Sequence, residues 1–169
     1  MIKNSSFFIG TQSGLTEIAY LFNIPVMLLN MCHLFEGYPK KKCDRGIFKK
    51  IFFKNDEISL YEFMNLDPIY HNSLVHNLHF IEDLDFQENE TSEVTNSIQY
   101  FENLYSNNNL DNHTTEQQKF NKNLKKKIVE IYNFNVKNLN KKSSILNPSQ
   151  ERLKNIRYNY FLNGAILNI

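Results

Sequence analysis

The stretch that decides the fold is Phe7-Phe8-Ile9-Gly10-Thr11-Gln12-Ser13-Gly14-Leu15-Thr16-Glu17-Ile18-Ala19-Tyr20-Leu21-Phe22-Asn23-Ile24-Pro25-Val26-Met27-Leu28-Leu29-Asn30. Its first three residues are a short apolar run ended by Gly10, which reads as a buried strand. Thr11 to Gly14 is a turn of small polar residues. Beyond it Leu15, Ile18, Ala19 and Phe22 recur at helical spacing, so a helix is expected from near Ser13 to Asn23, where Pro25 forbids continuation. Val26-Met27-Leu28-Leu29 is apolar throughout, as in a parallel strand covered on both faces. Strand, turn, helix and strand in this order make a right-handed βαβ crossover.

Such a unit implies chemistry at its turn. A helix starting at the carboxyl end of a parallel strand aims unpaired backbone N–H groups and the positive end of its dipole at one point, a natural seat for phosphate. Gly10 and Gly14 let backbone approach a ligand without a Cβ in between. Thr11, Gln12 and Ser13 can add side-chain donors. The same turn also reads as a simple capped connection, since a helix terminus permits anion binding without requiring it. No lysine follows as in a P-loop, and the G-x-G-x-x-G spacing is absent, which argues against an NTPase or a dehydrogenase.

Outward from this unit the signals weaken. Residues 30–56 read as a long loop with Gly37, Pro39 and Gly46, broken by the apolar patch Ile47 to Phe53. Ile58 to Met64 suggests a short helix capped by Ser59 and ended by Asp67-Pro68. Leu78-His79-Phe80-Ile81, within a mixed segment reaching Phe86, suggests a strand. A helix opens at Asn89 to Glu93 and runs to Phe101 or Leu104. Ser106 to His113 is an Asn-rich linker. Thr114 or Thr115 then caps an amphipathic helix carrying Phe120, Leu124, Ile128 and Ile131 as far as about Phe134. Asn138 to Asn147 reads as loop. After Pro148, Leu153, Ile156, Tyr160 and Phe161 suggest one more helix.

The 169 residues suit one α/β domain, and a 41% hydrophobic composition supports a core. A net charge of +1 gives no field arguing for nucleic acid. The clusters Lys40-Lys41-Lys42 and Lys125-Lys126-Lys127 read as solvated faces. Cys32 and Cys43 form neither a disulfide framework nor, with His33, a zinc set, so free thiols are expected. His71, His76 and His79 have no metal spacing and read as ordinary residues. Met1 to Ser6 lacks a signal-peptide pattern, and the longest apolar run, Ile18 to Leu29, is too short to span a bilayer. A cytoplasmic protein without a transmembrane segment is expected, the inner membrane face being one location for it.

Phe7 to Asn30 resembles a bacterial family of glycosyltransferases from surface-polysaccharide clusters. Asp44 to Phe52, Ile58 to Met64 and Phe86 to Glu93 are similar to later segments of that family, so the resemblance covers roughly residues 7–104. It implies an α/β fold: a partial Rossmann-like C-terminal lobe of a GT-B enzyme, related to the UDP-sugar 2-epimerase scaffold, with a short parallel sheet flanked by helices. Residues 1–104 are then a nucleotide-sugar-binding lobe truncated on its N-terminal side, and 105–169 a linker with C-terminal helices. The resemblance places the donor diphosphate on Gln12, Ser13 and Gly14, with Gly10, Thr11, Leu15 and Asn30 around it, and the ribose hydroxyls on Glu17. A carboxylate suits ribose because it accepts two hydroxyl protons; Glu17 also reads as a plain dipole partner of the first turn. Departures exist: Asn23 stands where the family has glycine, and Met31-Cys32-His33 replaces a Trp-Pro-Pro-type stretch. His33 and Glu36, in the loop after the second strand, are the only candidates for a catalytic role.

The implied activity is sugar transfer from a nucleotide-diphosphate donor to a glycan or lipid-linked acceptor, without metal or other cofactor. Asp83-Leu84-Asp85 falls outside the family's site. The chain begins a few residues before the phosphate-binding strand, which leads us to expect a truncated or split gene whose acceptor lobe and catalytic base lie elsewhere. A UDP-sugar epimerase fragment and a non-catalytic nucleotide-sugar-binding remnant are the alternatives.

Overall fold

In the computed structural model, residues 2–34, 38–67, 70–71, 82–140 and 164–167 are described, the side chains of 131–140 aside. The opening unit forms as expected: β1 (Phe8–Gly10), α1 (Gly14–Leu21) and β2 (Val26–Met31), with β1 and β2 parallel and Phe8 opposite Val26. Asn23 explains its own departure from glycine. It adopts φ 57°, the left-handed conformation that ends a helix, and Asn is among the few residues that tolerate it. The amides of Asn23 and Ile24 donate to the carbonyls of Tyr20 and Ala19 at 3.0 and 3.1 Å, the two bonds of a Schellman stop.

Two further strands complete a four-stranded parallel sheet in the order β1-β2-β3-β7. These are β3 (Arg45–Phe48) and β7 (Ala165–Ile166). A second, antiparallel sheet has the order β5-β4-β6, from β4 (Lys50–Phe53), β5 (Asp56–Ile58) and β6 (Leu84–Gln87). The helices are α2 (Leu60–Asn65), α3 (Thr91–Ser106) and α4 (Thr115–Asn140). Ser59 caps α2 through a reciprocal box with Glu62, and Glu90 with Glu93 opens α3.

Alternation along the strands divides the core into two layers. Val26, Leu28 and Ile166 pack with Ala19 of α1 and with Phe120, Leu124 and Ile128 of α4. Met27 and Ile47 face the opposite way and pack with Phe101 of α3, flanked by Phe7, Ile9 and Leu29. The chain is therefore an α/β protein whose parallel sheet is flanked by helices. Asn30 sits at φ 49° where the β2–β3 register shifts. This irregularity returns Met31 to the same core as Leu28, two positions that strict alternation would have put on opposite faces.

Several expectations change. The stretch read as loop from 30 to 56 contains β3, β4 and the start of β5. One run of chain crosses from the parallel sheet into the antiparallel one, with Lys49 between and its amide donating to the Met31 carbonyl at 2.9 Å. Gly46, read as punctuation, is an interior strand residue: an added Cβ would lie 3.2 Å from Pro39 Cγ and would meet the Met31 sulfur. Helix α4 runs through Asn140, beyond the expected end near Phe134. Tertiary contacts along Gln117 and Asn121 explain where β7 docks, because their amides donate to the Ile166 and Gly164 carbonyls at 3.0 and 2.7 Å. The strand expected at Leu78–Ile81 and the helix expected after Pro148 lie outside the described residues. No described helix is long and apolar enough to cross a membrane.

Asp44 ties the loop before β3 to the sheet. Its buried carboxylate accepts from the amides of Val26 (2.9 Å) and Lys41 (2.7 Å). Arg45, also fully buried, donates to the carbonyls of Lys42, Asp44, Leu110 and Asn112, and so fastens the linker before α4. A buried guanidinium is tolerable here because carbonyl oxygens replace its hydration.

Candidate functional site

At the N-terminus of α1 lies a cleft of about 300 Å³ lined by Gln12, Ser13, Gly14, Thr16, Glu17, Tyr20 and His33. It sits at the carboxyl end of β1, where open parallel sheets bind ligands. Ser13 is the N-cap in extended conformation, and its side chain makes no capping bond. The amide of Thr16 turns back to the Ser13 carbonyl at 3.1 Å, leaving those of Gly14 and Leu15 without an acceptor among the described residues. Gly14 faces open space, with nothing within 4 Å of an added Cβ. Gly10 differs: its Cβ would meet the Phe8 ring at 2.7 Å, so its smallness serves packing within β1.

Gln12 holds the turn to the other side of the cleft. Its Oε1 accepts from the amides of Cys32 (2.9 Å) and His33 (3.2 Å), and its Nε2 donates to the His33 carbonyl at 2.9 Å. The sequence suggested Gln12 as a side-chain donor for a ligand; here its carboxamide clasps the loop after β2, and both Gln12 and His33 line the cleft. The Thr16 hydroxyl closes the turn from within by donating to the Thr11 carbonyl at 2.8 Å.

Glu17 lines the cleft one turn into α1, and its two carboxylate oxygens each take a 2.6 Å hydrogen bond from Lys40 Nζ. That ammonium also sits 4.6 Å from the centroid of the Tyr20 ring. Lys41 anchors the same loop by donating to the Ile24 carbonyl at 2.6 Å. Lys40 and Lys41 thus do not form a merely solvated face, a correction to the charge-run reading. Burial, with Asp44 as the second cause, pushes the Tyr20 phenol far up, so it stays a neutral hydroxyl at all physiological pH.

The remaining expected positions separate. Leu15 is 60% exposed beside the turn, and Thr11 contributes its carbonyl to the turn's closure. Asn30 is absent from the cleft lining; its Oδ1 accepts from Asn89, whose amide nitrogen Nδ2 lies 2.8 Å away. Glu36 lies outside the described residues. Asp83 and Asp85 lie on and beside β6, where Asp83 accepts from the Tyr70 hydroxyl at 3.1 Å. Among the described residues no group of His, Cys, Asp or Glu could hold a metal ion. Burial raises both cysteine thiols above their ordinary range.

Sequence reasoning missed Thr16, Tyr20 and Lys40. The first two could have been found, because four-residue spacing puts them on one helix face. Lys40 could not, as no local pattern announces a contact with Glu17 across 23 positions. No protein-family model matches the chain, and neither any curated protein nor any solved structure does so.

Proposed function

We propose that this chain is the donor-binding part of a glycosyltransferase, holding the diphosphate of a nucleotide sugar whose glycosyl group passes to a surface-polysaccharide or other glycan acceptor. The observation that carries the reading is the cleft at the start of α1: two amides without acceptors among the described residues, a glycine facing open space, and Glu17, Tyr20 and His33 around them. A diphosphate leaving group gains charge as the glycosidic bond breaks. Amides and a helix dipole fixed beforehand stabilise that charge without reorganising. In this reading Glu17, one turn further in, accepts ribose hydroxyl protons. Tyr20 stays neutral and does not repel the anion. Acceptor binding and the catalytic base belong to a partner lobe in this reading.

The test is thermal stabilisation of the protein by UDP, GDP and CDP, with uridine and glucose as controls. A diphosphate present at 100 times its Kd adds about 2.7 kcal/mol, about 5–11 °C for a domain of this size. Absence of any shift with all three diphosphates at millimolar concentration overturns the reading.

A further inference from the structure

We infer that the outer edge of β1 and the flank of α1 above it form a docking surface for a second copy of this chain, joined antiparallel about a twofold axis at Ile9. The cleft lies on the other flank of α1, so this surface stands apart from the donor-binding reading.

The two edges of the parallel sheet differ. At β7 the side-chain amides of Asn121 and Gln117 take the carbonyls of Gly164 and Ile166, which closes that edge. At the other end β1 pairs only with β2 among the described residues. The Phe8 amide donates to the Pro25 carbonyl on the β2 side, so by alternation the amide and carbonyl of Ile9 point outward, and no described residue bonds them. Above this open edge stands an apolar flank. Successive residues of α1 turn by about 100°, which sets Glu17 and Tyr20, both against Lys40 of the loop leading into β3, on one side. Leu15, Ile18 and Phe22 fall on the opposite side, over β1, with Leu21 at the rim; the four are between 39% and 81% exposed. They present about 400 Å² of apolar surface, about half of one partner's share of a standard interface, and β1 adds its backbone and half-buried side chains.

A second copy satisfies both features at once. Antiparallel β1 strands meeting at Ile9 exchange two N–H···O bonds between the two Ile9 residues. Helix α1 packs on both β1 and β2, so strands about 4.8 Å apart set the two α1 axes about 10 Å apart, the ordinary distance of packed helices. The two Ile18 side chains then face each other near the axis. The same patch serves both copies, so the pairing closes on itself, and the joined sheet ends on both sides in a closed β7 edge.

Sedimentation velocity between about 1 and 100 μM protein is the test. Wild type should pass from one chain to two with a midpoint of about 10 μM, as an interface of this modest size dictates. Ile18→Lys and Ile18→Glu should each raise that midpoint about 100-fold, because like charges then meet at the axis. Mixing the two variants should restore the dimer, since lysine now faces glutamate; a variant that merely misfolds gives no such rescue. Val129→Lys, on the exposed face of α4, should dimerise as wild type does. A wild type that stays a single chain at about 100 μM overturns the pairing and leaves this face to a different protein. An Ile18 charge without effect, a mixture that stays dissociated, or dissociation by Val129→Lys also overturns it. Thermal stabilisation by UDP reads the other flank of α1 and stands or falls by itself.

Discussion

Replacing Gln12 with methionine keeps the length and apolar stem of the side chain and removes, among the described residues, three hydrogen bonds: two accepted from the Cys32 and His33 amides and one donated to the His33 carbonyl. Each partly buried bond of this kind is worth about 1 kcal/mol net, and water replaces some of them, so the loss should be about 2–3 kcal/mol. For a chain of this size that is a melting temperature lower by about 4–12 °C. Gln12→Glu separates the contributions. It keeps the acceptor for both amides but sets a carboxylate oxygen against the His33 carbonyl, so it should lose nearly as much at neutral pH. Differential scanning calorimetry gives the stabilities, and amide chemical shifts of Cys32 and His33 report whether the loop has left the turn. Because Gln12 and His33 both line the cleft, diphosphate stabilisation should fall in both variants by more than the lost stability explains. A Gln12→Met protein that melts within about 2 °C of wild type, with those amides unshifted, refutes the clasp.

Three other outcomes follow from the same geometry. Gly14→Ala adds a methyl where nothing lies within 4 Å, so its melting temperature should match or exceed wild type while UDP stabilisation drops; unchanged UDP stabilisation would take the ligand away from this turn. Burial, with Lys127 second, pulls the His71 imidazole from 6.5 down to about 4. The unfolded chain then binds the extra proton across that window, so stability on the order of 3 kcal/mol is present above pH 6.5 and lost as pH falls towards about 4. His71→Gln should flatten this acid limb in urea titrations across pH, and an equally steep limb in the variant contradicts the assignment. Gly164→Ala would set a Cβ 2.8 Å from the Pro39 carbonyl oxygen and 2.9 Å from that of Asp44. Pushing β7 off β3 should cost about 2–3 kcal/mol, and an unmoved denaturant midpoint speaks against that packing.

The opening βαβ unit was legible because each part is decided locally. Apolar runs of 3–4 residues, helical spacing of Leu15, Ile18 and Ala19, and Pro25 after the helix are all read within a few positions. The Ser59 cap of α2 and the place where α3 starts were legible for the same reason, but the α3 cap was not: Glu90 takes the position expected of a small polar residue. β3 and β7 were not. Gly46 looks like a turn residue until Met31 and Pro39 are seen packed against it, and the two residues of β7 have no periodicity to show.

The cleft divides along the same line. Sequence alone determined that a strand–turn–helix corner with small residues lies at Gly10 to Gly14, since chain chemistry within one turn fixes it. Only tertiary structure decided that Gln12 clasps His33 across 21 positions and that Lys40 holds Glu17 across 23. Pairings that distant are settled by how whole elements pack, and loop closure between them leaves no trace in the neighbouring residues.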